Sequence, residues 1–196
     1  MLTVPADTKM TGTIGEHYVA SMLARHGWAP ALTRDGLERT DILAVQTQGN
    51  RAMIEVQVKS ARGSGQNLSW PLGLKEQTRA RNSREWFVFV AIDAQPTGPV
   101  RCFVAPRDHI AAAAWIEHMH WLTEPGIAPG KRNVGPDRAR SALSTFERYE
   151  NRWDLLLESA FDAPVLLPPR FRDYALEDRV GLPADHRWAA ALPAWG

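Results

Sequence analysis

The chain has a single cysteine, Cys102. An internal disulfide and a zinc site built on cysteine pairs are therefore both excluded. Cys102 lies in the apolar run Val100–Val104, where a buried strand residue is expected. Neither charge is in excess: Lys plus Arg number 23 and Asp plus Glu 22. A nucleic acid would then have to be met by a local patch, not by the field of the whole chain. Met1 to Met10 lack the apolar stretch of a signal peptide, and no apolar run is long enough to span a bilayer. A cytoplasmic protein with no membrane partner is expected. No phosphate-cradling loop of the P-loop kind, no Ser/His/Asp set and no internal repeat stands out. His118 and His120 are two apart on an expected helix and point to different sides, which is poor metal geometry. His17 is turned about 100° around its helix from Glu16.

What remains is an ordinary globular composition, 44% hydrophobic and 23% charged over 196 residues, enough for one domain with a core. Residues 1–12 read as a lead-in. Thr13-Ile14-Gly15-Glu16 fits a capping box, and Ile14, Tyr18, Val19, Met22 and Leu23 follow at helical spacing. The first helix is expected from Thr13 to His26, stopped by Gly27. Asp41–Val45 and Ala52–Lys59 flank Gln48-Gly49-Asn50 and read as a hairpin. Residues 60–73 read as a Gly- and Ser-rich loop, and Leu74–Glu85 as helix-compatible. Trp86–Ile92 and Val100–Val104 are two further strands, and a helix runs from Pro106 to about Leu122. After a Pro- and Gly-rich loop over 123–137, a helix is expected over Asp137–Ser159. The expected architecture is α/β, in the order α-β-β-α-β-β-α: a mixed central sheet flanked by helices, then an extra C-terminal helix. Residues 1–160 form the domain, and 161–196 form a Pro-rich extension packed on it.

In the second hairpin strand, Ala52, Ile54, Val56 and Val58 alternate with Met53, Glu55, Gln57 and Lys59. Period two places Glu55, Gln57 and Lys59 on one polar face. If Gln48-Gly49-Asn50 is a three-residue loop, Thr47 pairs with Arg51 and Asp41 comes opposite Gln57. A two-residue loop would turn Asp41 to the other face. Phosphodiester hydrolysis needs a divalent metal held by oxygens and a nearby cation. The hairpin offers such a set.

An acid at the start of one strand, followed by a hairpin partner ending in Val56-Gln57-Val58-Lys59-Ser60, resembles the PD-(D/E)XK nuclease superfamily in its Gln-x-Lys variant. The helix carrying Gly15-Glu16 is similar to the first helix of its resolvase-like branch. The resemblance covers roughly the first half of the chain. It implies a restriction-endonuclease-like core and a Mg²⁺- or Mn²⁺-dependent endonuclease acting on DNA. Glu16 and Asp41 would be metal ligands, Gln57 would take the (D/E) place, and Lys59 would be the motif lysine. Glu55 would add a carboxylate to the same face. Two departures stand out: Thr40 replaces the usual proline, and Gln57 brings an amide where the motif has a carboxylate. Such enzymes often pair so that two sites reach both strands, which would make the Pro-rich tail a homodimer interface.

Each residue also has a plainer reading. Glu16 can be the far end of a capping box, and Glu55, Gln57 and Lys59 the wet face of a half-buried hairpin. For DNA, Arg62, Lys75, Arg79, Arg81 and Arg84 face Glu76 alone between Arg62 and Arg84, a local +4 from five minus one. Lys131 and Arg132 belong to a second basic cluster that runs on through Arg138 and Arg140. These can track phosphates or simply be solvated. The alternative function is a degenerate nuclease fold that binds nucleic acid or a protein partner without cutting. RNA in place of DNA is a third reading.

Overall fold

Asp7 opens the first described helix: its carboxylate accepts from the backbone N–H of Lys9 at 2.8 Å and of Met10 at 3.4 Å. That N-cap starts helix α1 at Thr8, and α1 runs to Arg25. The expected capping box at Thr13 is not the start. Thr13 lies inside the helix, its hydroxyl donating to the Lys9 carbonyl at 3.1 Å. Gly27, with φ of 81°, ends the helix as the sequence suggests. The computed structural model describes residues 7–33, 37–64, 68–128 and 130–196. Residues 1–6 of the expected lead-in, 65–67 of the expected 60–73 loop and Pro129 of the later loop lie outside the described residues.

Strand β1, Trp28–Leu32, was not expected; β2 is Ile42–Gln46 and β3 is Met53–Arg62. β4 is Ser69–Pro71, β5 Glu85–Ile92 and β6 Val100–Pro106, and helix α2 spans Arg107–Leu122. β7 is Arg140–Ala142 and helix α3 Pro169–Ala175. The main sheet has the order β1-β2-β3-β5-β6, with β3 and β5 parallel and the other pairs antiparallel; β4 and β7 form a separate ribbon. β5 is buried along its whole length, as a continuous apolar strand covered on both faces should be. β1 carries Pro30 and lies at the sheet edge, where a missing N–H is tolerated.

Three expectations fail, each for a local reason. The 60–73 loop is partly strand, because β3 runs on to Arg62 and Ser69–Pro71 pairs with β7. Leu74–Glu85 contains no helix. Side-chain acceptors take its backbone donors instead: Asp108 accepts from Ala80 N–H at 2.7 Å, Glu85 from Arg81 N–H at 2.6 Å and Asn82 from Arg84 N–H at 2.8 Å. So, among the described residues, the connection between the parallel strands β3 and β5 carries the short strand β4 and no helix, where a helix is usual. Asp137–Ser159 is not one helix either. It divides into β7 and three 3-10 segments, Pro136–Arg138, Leu143–Tyr149 and Trp153–Leu157, with a bridge from Glu150 to Phe103 and a positive φ at Asn151.

One face of β3 shows Ile54, Val56 and Val58 to α1, where Val19 and Leu23 are buried. The helix comes closest at Gly15: an added Cβ there would lie 1.8 Å from the Ser60 hydroxyl oxygen. The other face carries Glu55, Gln57 and Lys59, with Phe87 and Phe89 of β5 in register beside the last two. Over that face, Trp70 stacks on Phe89 with ring centroids 4.8 Å apart, and Phe146 lies 4.7 Å from Phe89. Such pairs add about 0.5–1.5 kcal/mol each beyond the area they bury. The C-terminal segment is held through Tyr149, whose hydroxyl accepts from Leu166 N–H at 2.9 Å. Val165, Leu166, Leu167, Phe171 and Val180 are buried in the same core.

Candidate active site

The β2–β3 turn decides where Asp41 points. Gly49 and Arg51 both take positive φ, 71° and 55°, and Val45 pairs with Met53 and Ile42 with Val56. This is the three-residue-loop register. Asp41 lies just before the paired residues and, with Ile42, against Val56, not opposite Gln57; its carboxyl lies near enough to feel the charges of Lys59 and Arg107. Asp41 is pinned from both sides: its N–H donates to the Val56 carbonyl at 2.9 Å, and its Oδ2 accepts from Val58 N–H at 2.6 Å. Its other oxygen, Oδ1, accepts no hydrogen bond among the described residues. Burial pushes the Asp41 carboxyl above its ordinary range; the Val58 N–H, Lys59 and Arg107 pull the other way without cancelling it.

Gln57 and Lys59 are both engaged. Arg107 Nη2 donates to Gln57 Oε1 at 2.5 Å. Lys59 Nζ pairs with Glu76 Oε1 at 2.7 Å, the two side chains 27% and 13% exposed. Arg107 is 1% exposed; its Nε lies 2.8 Å from Glu85 Oε2, and its guanidinium sits over the Phe87 ring at 4.5 Å. Glu85 is shared with Arg39, 2.7 Å away. Burial, with Arg39 second, brings Arg107 down to about 10 while Glu85, Glu76 and Asp108 oppose the shift, so it stays charged at neutral pH.

The remaining expected residues fall as follows. Glu16 is half-buried, next to Gly15 where α1 crosses β3 at Ser60, the neighbour of Lys59. Glu55 lies on the expected face, but its carboxylate is taken up by Thr40 at 3.3 Å and Asn82 at 3.0 Å. Lys75, Arg79, Arg81, Arg84 and Lys131 are exposed. Arg62 is half-buried and reaches the Ala94 carbonyl at 3.3 Å. Arg132 is turned inward, ion-paired to Glu124 at 2.5 Å and lying over the Trp121 ring at 5.1 Å. Beside it, Arg138 and Arg140 line an open groove of about 710 Å³ that borders Pro71 and Gly135.

Sequence reasoning missed Arg107, Glu76, Glu85 and Arg39. Two signals were present. Arg107 puts a cation in the first turn of a helix, against the helix dipole, which points to a partner elsewhere. Glu76 is the lone acid in a basic segment.

A divalent metal finds one strong donor here. Asp41 is a partly desolvated carboxylate with an unengaged oxygen, which a cation would relieve. Among the described residues no three His, Cys, Asp or Glu side chains converge on one point. The set fits a Mg²⁺ that keeps most of its waters, held by Asp41, and does not fit a closed cage of carboxylates.

No family model matches the chain, and no curated protein matches it. Among solved structures the chain is similar to Hjc, a Holliday junction resolvase from the archaeal hyperthermophile Archaeoglobus fulgidus. The identity is 15%, the match covers 69% of this chain and 91% of that one, and the TM-score is 0.37. Among the described residues no helix is long and apolar enough to cross a membrane.

Proposed function

We propose that the chain is a metal-dependent endonuclease that hydrolyses phosphodiester bonds of DNA. The observation that carries this reading is Asp41: a half-desolvated carboxylate, open on Oδ1 among the described residues and near the charges of Lys59 and Arg107. Asp41 would hold Mg²⁺ or Mn²⁺, with Glu16 of α1 as second carboxylate. Such an ion, when bound, acidifies water and offsets the charge that builds on the phosphoryl group. Lys59 presents its Nζ to a phosphoryl oxygen once it exchanges Glu76 for the substrate. The exposed Lys75, Arg79, Arg81, Arg84 and Lys131 follow the phosphate backbone, with little sequence reading. Residues 1–160 act as one catalytic domain, and the 161–196 extension is the face on which two copies would pair. A cytoplasmic setting goes with this reading.

The test is supercoiled plasmid incubated with protein in Mg²⁺ and in Mn²⁺, with Lys59→Ala beside it. Nicking or linearisation by the wild type alone is the expected result. Removal of the metal with EDTA should abolish it. No cleavage in either metal refutes the reading.

A second reading has its own observation. Gln57 Oε1 and Lys59 Nζ are already satisfied by Arg107 and Glu76, as in a nuclease fold that has stopped cutting and only binds. That reading expects a plasmid gel shift without cleavage, and no gain in Tm on adding Mn²⁺.

A further inference from the structure

The orientation of the Gln57 amide is decided by its neighbour. A guanidinium carries five N–H donors and no acceptor, so the Gln57 atom 2.5 Å from Arg107 Nη2 must be the oxygen. Flipping the amide would set two donors against each other. Arg107 cannot follow such a flip, because it is 1% exposed, ion-paired to Glu85 and stacked over Phe87. Glu85 is itself fixed, by Arg39 at 2.7 Å and by Arg81 N–H at 2.6 Å. A divalent ion seated on Gln57 Oε1 would stand beside this buried cation, and like charges in a partly desolvated site repel. The other end of the amide, Nε2, makes no hydrogen bond among the described residues. It belongs to the same face of β3 as Lys59.

We propose that Arg107 is a positioning residue that locks the Gln57 amide, so that Gln57 meets a phosphodiester oxygen as a donor through Nε2 and is not a metal ligand. Gln57 and Lys59 then form a donor pair for the phosphate, and Asp41 is left to the metal. A carboxylate at position 57 would pair with Arg107 and repel the phosphate, which gives the glutamine a reason to be there. The inference rests on the nucleic-acid reading above, but metal and DNA binding can be measured without cleavage.

The experiment uses the full chain. Mn²⁺ affinity is read from the free-ion EPR signal, and binding of a short duplex in EDTA from fluorescence anisotropy. Asp41→Asn should lose Mn²⁺ binding. Gln57→Met should keep the wild-type Mn²⁺ affinity within about twofold while weakening duplex binding about tenfold, as loss of one charge-assisted hydrogen bond does. Gln57→Glu should weaken duplex binding further without tightening Mn²⁺. Arg107→Lys should weaken duplex binding, and its combination with Gln57→Met should add little, since both remove the same oriented donor. Additive losses would overturn the positioning role. A Gln57→Met chain that loses Mn²⁺ as Asp41→Asn does, or a Gln57→Glu chain that gains it, overturns the donor role. Unchanged duplex binding by Gln57→Met, or no duplex binding by the wild type, also overturns it. Failure of the wild type to cut plasmid sinks the endonuclease reading and leaves these comparisons standing.

Discussion

Replacing Gly15 by alanine tests how α1 is seated on the sheet. In an exposed helix the change would stabilise by about 1 kcal/mol, because glycine gives up more backbone freedom on folding. Here the new methyl would lie 1.8 Å from Ser60 Oγ, 3.0 Å from Ser60 Cβ and 3.6 Å from Val58 Cγ1. The Ser60 hydroxyl is buried without a hydrogen-bond partner among the described residues, so it can rotate away without losing a bond to any of them. The Ser60 Cβ cannot rotate, and relief requires α1 to lift from β3. Overpacking of this kind costs about 1–3 kcal/mol, with the upper half expected here because the 3.0 Å contact is to a Cβ that cannot rotate. Set against the propensity gain, the net loss is about 1–2 kcal/mol, which for a chain of this size lowers Tm by about 2–8 °C. Urea unfolding followed by circular dichroism reads it directly. Ser60→Ala removes the 1.8 Å contact and leaves the 3.0 Å one, so the double variant should recover part of the loss, with a coupling of at least about 0.5 kcal/mol. A Gly15→Ala chain more stable than wild type would show that the helix does not approach the strand this closely.

Two further expectations concern pH. Burial raises the Asp41 carboxyl, so its ionisation opposes folding: that contribution is most favourable below the unfolded value and is lost as pH rises through the folded one. Asp41→Asn should therefore be more stable than wild type at pH 7, with the advantage shrinking as pH falls through the raised folded value and gone below about 3.8; an advantage of equal size at pH 7 and pH 3.5 would contradict this. His109 behaves oppositely. Tyr149 accepts from Leu166 N–H and so donates its O–H to His109 Nδ1 at 2.7 Å, and burial brings the imidazole down from 6.5 to about 3. The unfolded chain binds that proton first, so stability falls as pH drops from 6.5 towards 3, by up to about 1.4 kcal/mol per pH unit from this group alone. His109→Gln should flatten the acid limb of a stability–pH curve; an unchanged limb would place the sensitivity elsewhere.

Much of the sheet is legible from pattern alone. The alternation from Ala52 to Lys59 and the unbroken apolar run from Trp86 to Ile92 correspond to β3 and β5, and Pro106 marks the entry to α2. β1 left no comparable trace, because Trp28–Leu32 is short, alanine-rich and interrupted by Pro30. The start of α1 was misplaced because Thr13 and Glu16 imitate a capping box while the true cap, Asp7, has no acid three residues on. The missing helix over 74–85 could not be foreseen, since the carboxylates that replace its hydrogen bonds come from α2 and β5. The same division holds at the site. Gln57 and Lys59 share a face of β3, which the alternation states, whereas the register of Asp41 depended on a turn whose length the sequence left open. Glu76 and Arg107 arrive from the irregular crossover and from a helix some fifty residues on, and only the assembled fold brings them there.

The β4–β7 ribbon has a consequence for the order in which the fold assembles. Arg140 bonds Ser69 across 71 positions of sequence, and Gln77 bridges the Leu72 and Pro136 carbonyls on the stretch that also carries Glu76. The wall beside Lys59 therefore closes only after the chain beyond residue 140 has been made and has folded back. Contacts this distant slow folding, because the loop must close before any contact rewards it. A ribosome-bound chain ending near α2 would already hold Asp41, Gln57 and Lys59 on their hairpin, yet lack the ribbon that braces Glu76. The wall beside Lys59 would be among the last parts of this face to assemble.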